Sequence, residues 1–348
     1  MLWDRASVVA RSRDSPMQSG SSQRPSYAVG VVNYRTYGDL ERCLGGIKAQ
    51  TVAPLEVSVV DADGERDRLA ELQRTHPEIA WDSQPNRGFS AGANRILAGL
   101  RDRCVGVDFV LLLNPDVVLE PDFVEMLLAD LAEQPSVALA SGKLLRPGGC
   151  LDSAGIELPR NRRPRDRGSE RPDDGQYDRA EFVFGASGAA LMIRWAALES
   201  LAVEGEIFDE DFFLYHEDTD LSWRANLLGW RVRYVPDAIA VHGRRWRQDK
   251  RFQMDVEVRR HSFKNHYLQI IKNERARDFA LNLPILLGWE VLRLGFALLR
   301  DPAMLPGYRE AWRLRRRAWH KRRIIQPRAR APRSSTLEPR ARGEDAPA

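Results

Sequence analysis

Residues 109–116 read FVLLLNPD, and this stretch decides the predicted fold. Its first five residues are all apolar, and oxygen-bearing side chains follow at Asn114 and Asp116. A continuous apolar run of this length predicts a strand that is buried on both faces, as in a parallel sheet covered by helices. The abrupt change at Asn114 predicts that the strand ends there, at the edge where open α/β sheets bind their ligands.

Apolar runs and helical patterns alternate on either side of this strand, which predicts an α/β protein. The predicted fold class is a doubly wound, mostly parallel sheet with a mixed C-terminal half and a helical C-terminal extension. The segment 160–178 is dense in Arg, Asp, Pro and Gly, which predicts a solvated, mobile loop. The predicted strands are 27–34, 55–60, 79–81, 109–113, 137–140, 182–193 and 232–241, and the predicted helices are 39–50, 66–74, 90–101, 122–133 and 218–228.

Composition limits the class of protein. Of the 348 residues, 43% are hydrophobic and 29% charged, so the chain can bury a large core. The cysteines, Cys43, Cys104 and Cys150, are too few and too far apart for a disulfide framework or a zinc site, and they indicate a reducing, cytoplasmic compartment. Residues 1–26 are rich in Ser and Arg and lack the apolar core of a secretory signal peptide.

The net charge of +4 is unevenly distributed. Residues 301–348 contain 13 Lys and Arg against 5 Asp and Glu, so the rest of the chain is slightly acidic, and no nucleic-acid partner is expected. The apolar segment 279–299 contains a proline as well as Glu290 and Arg293, which favours an interfacial or core-packed helix over a membrane span. The segment 312–323 combines cations with tryptophans and suits an anionic membrane surface, although a solvated basic helix has the same composition.

Asp61 ends the second predicted strand, in the sequence VVDADG. A carboxylate at this edge of a parallel sheet can accept hydrogen bonds from a nucleotide, although Asp and Gly together also form ordinary turns. Downstream, the segment 86–94 (NRGFSAGAN) opens a helix, and Gly88 and Gly92 allow close approach of the backbone to a phosphate. The same glycines also suit tight packing of a helix on a strand, so both interpretations stay open.

Asn114 and Asp116 place one amide and one carboxylate where the strand 109–113 ends. Mg²⁺ and Mn²⁺ bind few carboxylates and complete their coordination with water and substrate phosphate oxygens. One aspartate here suits a divalent cation held mainly by a diphosphate, while Asn-Pro is equally common in turns.

A second acidic cluster lies in residues 208–221, FDEDFFLYHEDTDL. So many carboxylates repel one another unless a cation or a proton relieves them, and helix capping accounts for only one of them. Asp218, beside Glu217, is the residue that we predict to act as general base. His242 closes the last predicted strand and is a candidate to join Asp116 as a metal ligand, although a histidine in this position is often a surface residue.

Taken in order, these segments resemble inverting glycosyltransferases of family 2, with the GT-A fold, and in particular their rhamnosyltransferase-like branch. The resemblance spans residues 27–272 and is carried by VGVVNYR, VVDADG, NRGFSAGAN, LLLNPDV, FGASGAALMIR, FLYHEDTDLSWRANLLGWRVRYVPDA and His242. It implies the following organisation: a disordered leader at 1–26, a glycosyltransferase domain at 27–272 with a nucleotide-binding half at 27–120 and an acceptor-binding, catalytic half at 121–272, a helical, basic extension at 273–325 and a disordered tail at 326–348.

The resemblance also implies a role for each matched residue. Asp61 would contact the nucleotide, and Asp116 with His242 would bind Mg²⁺ or Mn²⁺. Asp218, with Glu217 beside it, would carry catalysis. The other implied residues are Asn33, Tyr34, Asn86, Gly88, Asn94 and Asn114 on the nucleotide side, and Gly188, Asp220 and Trp223 on the acceptor side.

The implied reaction transfers rhamnose or a similar hexose, with inversion, from a dTDP- or UDP-linked donor to a hydroxyl of a saccharide or polyprenyl-linked glycan acceptor. Such a protein would act in cell-surface polysaccharide synthesis, in the cytoplasm or peripherally on the inner face of the cell membrane. Two alternatives stay open. One is a sugar nucleotidyltransferase, although the first strand lacks the Gly-rich, Arg/Lys-containing loop expected after it; the other is a non-catalytic membrane or nucleic-acid adaptor with a decayed catalytic domain.

Overall fold

A computed structural model of the protein describes residues 24–103, 106–243 and 252–330. The strands are β1 Tyr27–Asn33, β2 Val57–Ala62, β3 Ala80–Gln84, β4 Phe109–Leu113, β5 Val117–Leu119, β6 Val137–Leu145, β7 Leu151–Ser153, β8 Ile156–Glu157, β9 Arg165–Asp166, β10 Glu181–Val183, β11 Ala190–Arg194 and β12 Arg231–His242. The helices are α1 Tyr37–Lys48, α2 Arg66–Thr75, α3 Gly88–Arg103, α4 Phe123–Ala132, α5 Leu198–Leu201, α6 Glu217–Leu227, α7 Val256–Asn273, α8 Ala276–Leu299 and α9 Leu305–Ile325.

Ten of these strands form one sheet. Its main order is β10-β12-β6-β11-β4-β1-β2-β3, with β5 paired to β12 and β7 paired to β6. Strands β3, β2, β1 and β4 are all parallel, whereas β11 runs antiparallel to both β4 and β6. The predicted α/β class, with a parallel first half and a mixed second half, is therefore confirmed.

Strand β4 lies inside the sheet and is buried along its whole length. Phe109, Leu111 and Leu113 face one side of the sheet and pack in the same cluster as Leu40 of α1. The alternate residues of β4 face the other side, where they pack in the same cluster as Ile96 of α3. Because both faces are covered by helices, the strand needs apolar residues at every position, which is the pattern that its sequence shows.

The segment 182–193, predicted as one strand, is two strands in the structure. Strand β10 ends at Val183 and β11 begins at Ala190, and they pair with different partners. The intervening residues include Gly185 and Gly188, which pack against Ser222 and Asp218 of α6. The interruption therefore brings the backbone of this segment against the start of α6, which a single continuous strand would not do.

The segment 160–178 is only in part the solvated loop that its composition predicts: about half of its residues are exposed, but it also makes buried and strand contacts. Arg162 is only 1% exposed and forms a buried ion pair with Glu274, with a distance of 2.7 Å between Nη2 and Oε1. Within the same segment, β9 pairs with β8 to form a small two-stranded sheet. A buried charge is stable only when it is paired. Composition could not predict the burial of Arg162, because its partner Glu274 lies 112 residues away in the sequence.

The C-terminal helices pack on the sheet domain through α7 and α9. Lys321 of α9 is buried and forms an ion pair with Asp209, with a distance of 2.6 Å between Nζ and Oδ1. The chain then continues past α9 in a 3-10 turn, Gln326–Arg328, and Gln326 donates a hydrogen bond to the carbonyl of Asn273. Residues 326–330 are thus packed, contrary to the predicted disorder; the rest of the predicted tail, 331–348, lies outside the described residues, as do residues 1–23 of the predicted leader.

Helix α8 is the element with the most exposed apolar surface. Within the part of the chain that the structure describes, it is the one helix that is long and apolar enough to cross a membrane. Only its inner face is anchored: Glu290 accepts hydrogen bonds from the hydroxyls of Tyr267 and Tyr308, and Ala297 packs against Phe263. Its exposed large apolar residues are Phe279, Leu281, Leu283, Ile285, Leu287, Val291, Leu292, Leu294, Phe296, Leu298 and Leu299.

Candidate active site

The predicted base, Asp218, is the second residue of α6, and backbone amides hold its carboxylate. Oδ2 accepts a hydrogen bond of 3.0 Å from the N–H of Gly188, and Oδ1 accepts one of 2.6 Å from the N–H of Thr219. Burial nevertheless raises the pKa of Asp218 above its ordinary value, against the opposite effect of the Gly188 N–H. Asp218 is partly exposed, so a substrate hydroxyl can approach its carboxylate.

Glu217 precedes Asp218 but lies deeper in the protein. Its side chain is buried, and Oε2 has no hydrogen-bond partner among the described residues. Burial and the neighbouring carboxylate of Asp218 raise the pKa of Glu217 to about 8. Glu217 therefore holds its proton to a higher pH than an ordinary glutamate, and the less buried Asp218 is the acid of the pair that borders the cavity.

His242, the last residue of β12, lies between two carboxylates. Strand β12 pairs with β5 in a register that sets His242 opposite Val117, next to the turn that carries Asp116. The Nε2 atom of His242 is 3.3 Å from Oδ1 of Asp116, and Nδ1 is 2.7 Å from Oδ2 of Asp152. Although burial opposes protonation, the hydrogen bonds to these two aspartates raise the pKa of His242 to about 9.

Asp152 was not identified by the sequence analysis. It lies in the short strand β7, is fully buried, and accepts a hydrogen bond of 3.0 Å from Nε of Arg146 at its other oxygen. The signal that points to it is an aspartate directly after an apolar residue in a short strand, because a buried carboxylate requires a partner. Arg146 and Asp152 together fix the ring of His242.

The chemistry of Asp116 and His242 fits a divalent cation. A carboxylate oxygen and an imidazole nitrogen lie 3.3 Å apart, and the second ring nitrogen of His242 faces a carboxylate, as is usual for metal-binding histidines. No group of three or more His, Cys, Asp or Glu side chains with metal-site geometry occurs within residues 24–103, 106–243 and 252–330. Two protein ligands are compatible with Mg²⁺ or Mn²⁺, which retain water and phosphate oxygens in their coordination.

Asp116 and Asp218 are brought together by the pairing of β4 with β11. The register sets Leu113 opposite Ala190, and the N–H of Asn114 donates a hydrogen bond of 2.9 Å to the carbonyl of Ala189. The preceding residue of that segment, Gly188, holds the carboxylate of Asp218. The two aspartates, 102 positions apart in the sequence, therefore lie on adjoining segments at the same edge of the sheet.

The predicted nucleotide contact Asp61 is enclosed by protein in this structure. It is fully buried, and its oxygens accept hydrogen bonds from Nδ2 of Asn33 at 2.6 Å and from the hydroxyl of Tyr37 at 3.1 Å. Asn33 is equally buried and also accepts a hydrogen bond from Thr36. The carboxyl ends of β1 and β2 lie side by side. The side chains of Asn33 and Asp61 bind each other there, so a nucleotide would reach them only after the surrounding loop rearranges.

The segment that opens α3 has a structural role as well as a predicted phosphate-binding role. Oδ1 of Asn86 accepts a hydrogen bond from the N–H of Gly88, whose φ of +87° and close approach to the carbonyl of Phe213 exclude a side chain. Asn94 is fully used in holding the loop before α6, because it bonds the backbone of Phe208 through both its oxygen and its nitrogen.

Two other predicted nucleotide residues are accessible. Tyr34 is 46% exposed, at the carboxyl end of β1, and Asn114 is partly exposed after β4. The residues predicted to bind the nucleotide thus fall into two groups. Some are accessible to solvent, and the others have polar side chains that already form hydrogen bonds to protein groups.

Of the three residues predicted on the acceptor side, only Gly188 lies beside Asp218. Asp220 is fully buried and accepts hydrogen bonds from Lys272 at 2.8 Å and Asn273 at 2.7 Å, so it joins α6 to α7. Trp223 is 1% exposed and packs in a core cluster under the guanidinium of Arg162. The helical period explains both corrections, since 3.6 residues per turn place Asp220 and Trp223 on the side of α6 opposite Asp218, where they face the core.

Asp218 lies at one end of a cavity of about 1270 Å³. The cavity is bounded by the segment 156–177, the start of α6, and the helices α7 and α8. Its walls carry several arginines together with aromatic residues of α8, so it is both cationic and apolar. This cavity extends from the predicted base towards the exposed apolar helix.

Comparison with known proteins identifies the family of the chain. The model of a family described as "Glycosyltransferase like family 2" matches residues 25–279. N-acetylglucosaminyl-diphospho-decaprenol L-rhamnosyltransferase of Mycobacterium tuberculosis is 29% identical over 233 residues, which cover 61% of this chain and 74% of the relative.

Solved structures share the fold at low sequence identity. GalNAc-T7, in a crystal structure with UDP, GalNAc and Mn²⁺, matches with a TM-score of 0.55 and 11% identity over 71% of this chain; the match spans about half, 48%, of the GalNAc-T7 chain. Residues 1–349 of Staphylococcus aureus TarS, in complex with UDP, match with a TM-score of 0.55 and 14% identity over 87% of this chain and 90% of the other. The likeness confirms the GT-A type of fold.

Proposed function

The chain belongs to glycosyltransferase family 2, and from that premise we propose that it transfers a hexose, with inversion, from a nucleoside-diphosphate donor to a hydroxyl of a lipid-linked saccharide. It is a glycosyltransferase, which sets aside the nucleotidyltransferase and adaptor alternatives. The observation that carries the proposed mechanism is the position of Asp218, held by the N–H of Gly188 at the end of a large cavity.

Asp218 would act as the general base. Its carboxylate would take the proton of the acceptor hydroxyl as the oxygen attacks the anomeric carbon from the face opposite the leaving diphosphate. Displacement from that face inverts the configuration of the carbon. The amides of Gly188 and Thr219 fix the carboxylate before the reaction, which removes the need to order it during the reaction.

Asp116 and His242 would hold a divalent cation beside the donor diphosphate. When bound, such a cation supplies positive charge that stabilises the departing diphosphate. Asp152 would keep His242 oriented, with Nε2 on the side of the ring next to Oδ1 of Asp116. We infer Mg²⁺ or Mn²⁺, in line with the Mn²⁺ present in the GalNAc-T7 structure.

We propose rhamnose or a similar hexose on dTDP or UDP as donor, and a polyprenyl-diphosphate-linked saccharide as acceptor. The support is the name of the mycobacterial relative, which specifies an L-rhamnosyltransferase and a decaprenol-linked, diphosphate-containing saccharide. The cavity beside Asp218 agrees with this acceptor class because it leads from the base to the apolar helix α8.

We also propose that the protein works at the cytoplasmic face of the membrane, with α8 in the interface. Leu287 is 58% exposed and Val291 is 71% exposed, and such a row of exposed apolar residues is stabilised when it enters a bilayer. Glu290 faces inward to Tyr267 and Tyr308, so insertion of the outer face would not bury that carboxylate in lipid.

The proposed function is tested by transfer assays with the purified full chain. We expect hexose transfer from dTDP-rhamnose or a UDP-hexose, with Mn²⁺, to a synthetic N-acetylglucosaminyl diphosphate that carries a short polyprenyl chain. Asp218→Asn should lower kcat by about 10²- to 10⁴-fold, the usual contribution of a general base, and leave donor binding within about twofold.

The matched control is Asp237→Asn, which alters an exposed carboxylate on β12. It should retain the wild-type rate. A wild-type rate in Asp218→Asn would remove Asp218 from the proposed mechanism, whereas absence of transfer from every donor to every lipid-linked acceptor would refute the proposed reaction.

A further inference from the structure

The cavity next to Asp218 is lined by several arginines that the proposed mechanism does not use. Two of them are already neutralised by acids: Arg165 pairs with Glu157 at 2.6 Å, and Arg259 forms a buried ion pair with Asp301. These ion pairs neutralise the charges of Arg165 and Arg259.

Three further arginines line the cavity, Arg163, Arg171 and Arg293, and none of them has a carboxylate within 4.0 Å among the residues that the structure describes. Two of these are oriented by aromatic rings: Arg163 lies over the ring of Trp289, at 5.7 Å, and Arg293 lies over the ring of Phe263, at 4.0 Å, while one of its nitrogens donates a hydrogen bond to the carbonyl of Phe263. Aromatic faces orient a guanidinium group without neutralising its charge. Glu290 acts electrostatically on Arg293 without forming a salt bridge to it, so both guanidinium groups keep N–H groups that can bind an anion.

The two guanidinium groups act on the same part of the cavity. Burial, together with the charges of Arg293 and Arg163, lowers the pKa of His216 to about 3. The same two arginines also lower the pKa of His266, which is buried nearby. His216 immediately precedes Glu217 and Asp218, so this positive potential lies close to the predicted base.

The wall that α8 contributes to the cavity is also apolar. Trp289, Leu292 and Phe296 of α8 line the cavity, and Leu292 is 66% exposed. A ligand that fills this cavity therefore needs three parts: a hydroxyl near Asp218, an anionic group beside the two arginines and a long apolar chain that leaves along α8. A diphosphate carries enough charge and enough oxygens to bind two guanidinium groups at once.

We propose that Arg163 and Arg293 form the binding site for the diphosphate of the lipid-linked acceptor, with the polyprenyl chain leaving along α8. This site lies on the acceptor side of Asp218 and is separate from the donor diphosphate site at Asp116 and His242. The inference rests on the proposed function, since it assumes an acceptor of that class. It adds the residues that would recognise the acceptor's anionic group.

The test compares two acceptors in steady-state kinetics with the full chain. One is N-acetylglucosaminyl diphosphate linked to a short polyprenyl chain, and the other is octyl N-acetylglucosaminide, which has an apolar chain but no phosphate. Arg163→Gln and Arg293→Gln should each raise KM for the diphosphate acceptor about tenfold, the effect of losing one charge-assisted hydrogen bond. In both variants, KM for the octyl glycoside and KM for the donor should stay within about twofold of the wild-type values.

Arg165→Gln is the matched control, because it removes an arginine of the same cavity that is already paired with Glu157. It should leave both acceptor KM values unchanged. Arg293→Lys, which keeps the charge, should recover part of the loss seen in Arg293→Gln, and thermal unfolding of each variant checks that the fold is intact.

The outcomes separate this inference from the proposed function. An unchanged KM for the diphosphate acceptor in both glutamine variants, or an equal rise for both acceptors, would overturn the diphosphate site while leaving the glycosyl transfer established. If the wild-type protein uses neither acceptor, the proposed acceptor class itself is wrong and the inference falls with it. Binding of inorganic pyrophosphate that competes with the donor instead of the acceptor would also contradict the assignment.

Discussion

The backbone N–H of Gly188 donates a hydrogen bond of 3.0 Å to Oδ2 of Asp218. Gly188 belongs to the segment between β10 and β11, and Asp218 belongs to the first turn of α6, so this bond joins the sheet to the helix. A Cβ on Gly188 would lie 3.1 Å from Cβ of Asp218. The contact thus fixes the position of the predicted base and leaves no room for a larger residue.

Gly188→Ala should therefore displace the carboxylate of Asp218 by a few tenths of an ångström. We expect kcat to fall about tenfold, given that misplacement of a reacting group by 1 Å costs roughly 10²-fold, with little change in donor affinity. Steady-state kinetics and donor titration measure the two effects. Gly45→Ala on α1 is the control, because a Cβ there meets nothing within 4 Å, and equal losses in the two variants would show that the Gly188 contact is unimportant.

Asp116→Ala should weaken metal-dependent donor binding. In the wild type, Mn²⁺ should strengthen the binding of the nucleotide sugar, and the variant should lose at least about tenfold of that gain, since loss of a ligand weakens metal sites strongly. Titration calorimetry of the nucleotide sugar with and without Mn²⁺ measures this gain in donor affinity for each protein. Asp237→Ala, on the exposed side of β12, should keep the full effect; if Asp116→Ala keeps it too, Asp116 is not a ligand.

Glu217→Gln should change the pH dependence of stability. The pKa of Glu217 is about 8 in the folded protein against 4.5 for the ordinary side chain, so the folded state holds a proton that the unfolded state releases. The wild-type free energy of unfolding therefore falls as the pH rises from about 4.5 to 8, and glutamine removes this slope. Thermal unfolding at pH 5 and pH 8.5 should show Glu217→Gln gaining at least about 3 °C relative to wild type at the higher pH; a constant difference would mean that Glu217 does not titrate in this range.

Leu287→Glu should reduce membrane binding without unfolding the protein. Leu287 is 58% exposed on α8, so a glutamate is tolerated in water, but a charge at a bilayer interface is costly. We expect flotation with phosphatidylglycerol-containing vesicles to fall at least about tenfold. Leu55→Glu is the control, because Leu55 is 61% exposed but lies between α1 and β2; equal binding of both variants would exclude α8 from the interface.

Point substitutions are preferable here to removal of the C-terminal helices. Lys321 of α9 pairs with Asp209, and Lys272 of α7 pairs with Asp209 and with Asp220 at 2.8 Å. A truncation at Asp278 would leave Asp209 buried with one cation fewer, which destabilises the domain that carries Asp218. Loss of membrane binding in such a truncation would then not identify α8.

The sequence by itself determined the α/β class of the sheet and the edge at which the candidate site residues lie. The run from Phe109 to Leu113 predicted a strand covered on both faces, and β4 is buried along its length for that reason. Asp116 and Asp218 were both predicted as site residues, and the pairing of β4 with β11 brings their segments together. Apolar pattern and strand ends are properties of neighbouring residues, so they can be read locally.

The tertiary structure alone decided which polar residues face a ligand and which are held by other residues. Asp220 and Asp218 are both acids in the same turn of α6, yet Lys272 and Asn273 bury the first while the second borders a cavity. The pairing of Asp152 with His242 joins residues 90 positions apart, and Arg293 has its role only because α8 folds back towards α6. The charge state and accessibility of a side chain depend on neighbours that are distant in the sequence, and no local pattern records them.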